Sequence, residues 1–247
     1  MKNGPSPRSG PLAPMIITDP KTLCLAFLGG IIPSLLWLWF WLKEDDGHPE
    51  PKGLLAIVFI MGMIVVLLVL PIQKFIQDSV GSLSGQIVLW ASAEEIIKYL
   101  AVLLVLCKTN NANDPIDWSI YLITAALGFA ALENMLFLLK VFPSSIETTL
   151  NLFNMGNLRF LGANLLHAIS SAIIGISIGI SFFMPKWKKG VFLFVGFLIA
   201  IVLHSTFNFF IIRNNGNDFL KVLTFLWVVT IIVMLLFEKI RRMSKNY

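Results

Sequence analysis

Ionisable side chains inside apolar sequence are the first sign of chemistry in this chain. Glu94, Glu95 and Lys98 fall near the middle of an apolar run from Leu83 to Cys107. Later apolar runs carry Glu133 with Asn134, then His167, then His204 with Asn208. Each charge at the centre of a membrane helix costs on the order of 2.5–3.5 kcal/mol to insert. Such groups persist where they pair, face a bundle interior or react.

Carboxylates and imidazoles are the parts of a hydrolytic site. A glutamate acts as general base on water when its surroundings tune it to the task. Glu94 and Glu95 point about 100° apart on a helix, so they need not share one role. Lys98 follows within one turn and is placed to pair with one of them. His204 and Asn208, also one turn apart, offer two polar groups on one face that could stabilise an oxyanion. The alternative is zinc, held by His167, His204 and either Glu133 or Glu95, with one position open for water. No His-Glu-x-x-His is present, so a metal-free route with no cofactor is favoured over zinc. Each piece alone also has a plainer reading. Glu94, Glu95 and Lys98 could only neutralise one another. Glu133 and Asn134 could hold an interhelical hydrogen bond, and His167 could be a core histidine.

The elements that must position these residues are membrane spans. About 20 helical residues cross the roughly 30 Å of hydrocarbon. Apolar runs predict about seven spans: Leu23–Leu42, Gly53–Pro71, Leu83–Cys107, Trp118–Phe142, Arg159–Met184, Gly190–Ile212 and Phe219–Phe237. Residues 72–82 and 143–157 read as polar connections, and Trp37, Trp39 and Trp41 as interface anchors. Gly175 and Gly179, four apart, are a close-packing signal. The domain expectation is a tail over 1–22, one transmembrane helical domain over 23–237 and a basic tail over 238–247.

Alternating spans make the polar residues converge. Counting 1.5 Å per residue from the nearest outer end, Glu94 lies roughly 17 Å deep and Glu133 roughly 14 Å. His167 and His204 both lie roughly 12 Å deep. Chance placement would scatter four such residues across the whole hydrocarbon thickness.

Composition supports the all-α, polytopic reading. The chain is 57% hydrophobic and 13% charged, against about 25% charged in a soluble domain. The net charge of +5 reflects basic loops and tail, and it implies no nucleic-acid partner. Lys and Arg divide ten against eight between the two faces. The Lys186–Lys189 turn and the basic tail place the C-terminus in the cytoplasm by the positive-inside rule. Cys24 and Cys107 then lie on opposite faces, too far apart for a disulfide.

Several motifs together resemble the PrsW family of intramembrane proteases, relatives of the CAAX-prenyl endopeptidases and bacteriocin-processing membrane proteases. Glu94-Glu95-Ile96-Ile97-Lys98 is similar to the family's Glu-Glu-x-x-Lys motif. Gly128-Phe129-Ala130-Ala131-Leu132-Glu133-Asn134 is similar to its Gly-Phe-x-x-x-Glu-Asn motif. Leu166-His167 and His204-Ser205-Thr206-Phe207-Asn208 resemble its two histidine motifs, and Lys43–Pro51 its acidic first loop. Some family members carry Asp where this chain has Asn208. The resemblance implies a multi-pass protein of the cell membrane. Its implied activity is cleavage of a membrane-anchored protein, such as the first cut of an anti-sigma factor. The rival classes are an ion-coupled carrier or proton relay, and a non-catalytic peptide-binding scaffold. Cysteines introduced at Ser82 and Asn157 are expected to label from the outside of intact cells. Labelling of both from the cytoplasmic side alone would invert the orientation.

Overall fold

The computed structural model describes residues 20–44, 49–109, 111–141, 146–213 and 219–244. Among them are seven helices and no strand: α1 (Pro20–Lys43), α2 (Lys52–Ser79), α3 (Leu83–Leu106), α4 (Asp117–Val141), α5 (Ile146–Ile180), α6 (Lys186–Arg213) and α7 (Phe219–Ser244). The expected tail lies outside the described residues as far as position 19, as does the middle of the acidic loop. Six helices are long and apolar enough to cross a membrane. The remaining one, α3, has 24 residues. It departs from the apolar class because Glu94, Glu95 and Lys98 sit in its middle.

Four boundaries differ from the sequence expectation. One is at α6, which begins at Lys186, so the expected Lys186–Lys189 turn is its first helical turn. Helix α2 continues through Pro71 to Ser79 where a connection over 72–82 was expected. A proline removes one backbone donor, and membrane helices tolerate that loss when neighbours re-satisfy the freed groups. The residues beyond it, including Gln73, Lys74 and Gln77, are ordinary helix formers. Helix α5 likewise begins at Ile146, within the stretch expected to be a connection. Helix α7 runs on to Ser244, so much of the basic tail is helical. In each case polarity marks where the chain leaves hydrocarbon, which is not where a helix must stop.

Helices α4 and α5 form the centre. Of their apolar windows, 72% and 78% are buried, against 17% for α1 and 28% for α7. Small residues make this possible. A Cβ on Gly62 of α2 would lie 2.0 Å from the Ala125 carbonyl oxygen of α4, and one on Gly128 would lie 2.0 Å from the Phe59 carbonyl oxygen of α2. The two backbones therefore touch, which only residues lacking a side chain permit. Gly175 and Gly179 bring α5 equally close to Ser119 and Pro115.

The outer helices turn large apolar chains outward, among them Leu36, Leu67, Phe75, Phe194 and Leu235. Such a surface needs lipid around it. Trp39 is 60% exposed, with the Lys43 ammonium over its ring, as an anchor should be. Trp41, expected beside it as an anchor, is instead fully buried against Phe237, ring to ring at 5.4 Å.

A methyl at Gly128 would meet backbone, which cannot rotate away. Gly128→Ala is expected to cost about 1–3 kcal/mol, as overpacking does. Gly190→Ala should be neutral or slightly stabilising, because nothing lies within 4 Å of its Cβ position. Thermal unfolding of both variants in one detergent checks this.

Candidate active site

The site begins with a charge that cannot reach water. Glu95 and Lys98 are both fully buried on α3, with Lys98 Nζ 2.5 Å from Glu95 Oε1. A buried ion pair holds only when its remaining hydrogen-bonding capacity is satisfied. Glu95 meets that demand from three helices. His204 on α6 places Nδ1 2.8 Å from Oε1, and the Ser171 hydroxyl on α5 donates to Oε2 at 3.0 Å. Lys98 Nζ also lies 3.3 Å from His167 Nδ1 and 5.3 Å from the ring centroid of Phe129, a cation–π contact.

These contacts set the tautomers. Glu95 is an acceptor, so His204 carries its hydrogen on Nδ1 and turns the lone pair of Nε2 away from Glu95. Lys98 is a donor, so His167 accepts at Nδ1 and donates from Nε2 to Glu133 Oε2, 2.8 Å away. The two imidazoles stand edge to face, with centroids 5.0 Å apart.

Glu94 differs from Glu95 in one respect. Its Oε1 accepts from the Gln73 side chain at 2.8 Å. Its Oε2 is buried, accepts no hydrogen bond among the described residues and lies 3.4 Å from His204 Nε2. Two lone pairs thus face each other, an arrangement that a proton, a water or a cation relieves. Of the two glutamates offered as bases by the sequence, Glu95 is saturated and Glu94 keeps a free oxygen.

A cavity of about 80 Å³ adjoins this cluster, lined by Glu133, Asn134, His167, His204, Phe207 and Asn208 among others. A water needs at least about 10–15 Å³ of such space, so the cavity is large enough to hold water. The Glu133 side chain is 46% exposed and forms part of the wall. A larger cavity, about 410 Å³, lies around Glu50, Asp114 and Asp117. It is roughly 24 Å from Glu133 by the rise of α4. There Glu50, from the acidic loop, accepts from the Tyr121 hydroxyl.

The structure therefore brings Glu94, Glu95, Lys98, His167 and His204 into direct contact and joins Glu133 through His167. Asn208 and Asn134 stand on the cavity wall, and the buried Asn134 amide nitrogen makes no hydrogen bond among the described residues. The carboxylate grouped with the two imidazoles as a metal-ligand set is Glu94, with ligand atoms within 4.8 Å of one another. The sequence expectation named Glu133 or Glu95 for that role. Glu95 already accepts from three donors, and Glu133 lies against the outer nitrogen of His167.

Sequence reasoning missed Gln73, Ser171 and Phe129 as parts of the site. Gln73 sat in a presumed connection, and Phe129 entered only as part of the Gly128–Asn134 motif. Ser171 did carry a signal, since it follows His167 at i+4 and shares its face.

Buried carboxylates and imidazoles beside a water-sized cavity, inside a multi-pass bundle, are the equipment of a membrane-embedded hydrolase. The family described as PrsW family intramembrane metalloprotease matches residues 50–237. The chain is 27% identical over 189 residues to Protease PrsW of Geobacillus kaustophilus, covering 75% of this chain and 79% of that protein. It is 29% identical over 214 residues to Protease PrsW of Oceanobacillus iheyensis, covering 82% and 91%. With Protease PrsW of Bacillus subtilis it shares 24% identity over 203 residues, covering 80% and 88%. No solved structure matches it. The chain belongs to the PrsW family, and it is a multi-pass membrane protease. Family membership favours the enzyme over the carrier and the scaffold.

Lys98→Met would leave the Glu95 carboxylate buried and unpaired. It is expected to cost about 3–5 kcal/mol. Adding Glu95→Gln removes the orphaned charge and should recover part of that loss. Unfolding of the single and double variants in detergent measures both.

Proposed function

We propose that this protein hydrolyses a peptide bond in a membrane-anchored protein substrate, using water activated by Glu94. The observation that carries the reading is Glu94 Oε2, a buried carboxylate oxygen without a hydrogen bond among the described residues, 3.4 Å from an imidazole nitrogen. In this reading Glu94 takes a proton from water as the oxygen attacks the carbonyl carbon. The proton passes to His204 Nε2, and the Glu95 carboxylate on Nδ1 stabilises the imidazolium, as a buried aspartate does in a serine protease triad. Protonated His204 and the Asn208 amide then stabilise the oxyanion. The imidazolium returns its proton to the leaving amine. Glu133 and His167 position the water from the cavity side, and Lys98 holds Glu95 in place.

The family description as a metalloprotease supports a second reading. Two imidazoles and a carboxylate are a catalytic zinc donor set, and the unpartnered Glu94 oxygen beside His204 Nε2 fits a cation. Glu94, His167 and His204 would hold it. When bound, the ion supplies Lewis-acid polarisation of the carbonyl. Glu133, half-exposed and outside that trio, would then take the proton from water.

The resemblance in the motifs suggests an anti-sigma factor as the substrate, cut in its first step. A single transmembrane unit over 23–237 carries the site. The charge bias supports a cytoplasmic C-terminus and a site in the outer half of the cell membrane.

Glu94→Gln keeps shape and removes basicity, so cleavage should fall at least about 10²-fold. His204→Ala should cost a similar factor. Metal content measured beside cleavage of a single-span substrate separates the two routes. Activity that survives prolonged chelation supports Glu94 as base. Stoichiometric zinc whose removal abolishes cleavage, and whose return restores it, makes Glu94 a ligand.

A further inference from the structure

The segment of α2 beyond Pro71 lies along α3, and its hydrogen bonds follow one face. Gln86, Trp90 and Glu94 are spaced four residues apart and so share that face. The Gln86 side chain donates to the Val80 carbonyl oxygen at 2.6 Å. The Trp90 indole donates to the Gln73 carbonyl oxygen at 3.0 Å. The Gln73 side chain in turn donates to Glu94 Oε1 at 2.8 Å. Gln73 is thus held by its own backbone and holds a carboxylate with its side chain.

We propose that Gln73 is a positioning residue for Glu94, with Trp90 as its brace. The catalytic part of this proposal rests on the role given to Glu94 above, as base or as ligand. The last torsion of a glutamate is broad and roughly two-fold. A carboxylate held at neither oxygen therefore turns freely. A donor fixed on Oε1 selects the orientation in which Oε2 faces His204 Nε2. Neither Lys98 nor Ser171 does this for Glu94, because both are committed to Glu95. Pro71 belongs to the device, since only a helix that continues past it carries Gln73 to the level of Glu94.

The test uses the full-length protein in detergent with a single-span substrate. Gln73→Leu should lower kcat roughly 10- to 100-fold, the scale of a misplaced reacting group, while KM stays within about twofold. Gln73→His, which returns an N–H donor at similar reach, should recover part of kcat. Trp90→Phe should give a smaller loss of the same kind. A second readout needs no activity: the rate at which a hydrophobic carbodiimide modifies Glu94, followed by mass spectrometry. Freeing the carboxylate in Gln73→Leu should raise that rate several-fold, and Gln73→His should bring it back. Unchanged kcat in Gln73→Leu overturns the positioning role. So does a loss of kcat with unchanged labelling, or one that Gln73→His repairs no better than Gln73→Leu. If the wild type cleaves nothing yet labelling responds as described, the contact stands and the assigned function fails. If Gln73→Leu does not fold, Gln73→His and Trp90→Phe decide by the same two measurements.

Discussion

The structure depends on one buried ion pair. Glu95 and Lys98 sit in the middle of a membrane helix with no access to solvent. Their mutual attraction alone does not offset the loss of water around both charges. The bundle supplies what is missing: an imidazole from α6, a hydroxyl and a second imidazole from α5, and an aromatic face from α4. Saturating one carboxylate thus fixes the relative placement of four helices. It also orients His204, whose far nitrogen then faces Glu94.

Two adjacent glutamates consequently have opposite fates. Side chains about 100° apart on a helix enter different surroundings. Glu95 points into the closed network and serves as an anchor. Glu94 points toward the interface with α2 and keeps one oxygen without a donor among the described residues. The difference arises from neighbours, since the two residues are chemically identical.

Backbone contact between helices does the remaining positioning. Gly62 and Gly128 let α2 and α4 cross without side chains between them. Glu133 lies five residues beyond that crossing on α4, so the crossing depth sets where its carboxylate meets His167. This gives a packing reason for the glycine that opens the Gly128–Asn134 motif. Outward, the same helices present large apolar chains, the reverse of a soluble protein and the consequence of having lipid as solvent.

The sequence by itself determined that this is an all-helical, multi-pass protein, because continuous apolar runs of about 20 residues cross hydrocarbon as helices that satisfy their own backbone. It also determined that Glu94, Glu133, His167 and His204 share a level, because helical rise is constant and successive spans alternate in direction. Motif spacing carried the family. Tertiary structure alone decided the partners. Which glutamate pairs with Lys98 depends on helix rotation, and which carboxylate joins the two imidazoles depends on the crossing of α3 with α5 and α6. Gln73 was hidden for a different reason. Hydropathy reports where a helix leaves the apolar layer, and it is blind to a polar helix that continues past a proline. Phe129 and Trp41 show the same limit, since an apolar side chain looks alike in sequence whether it faces lipid, core or a buried ammonium.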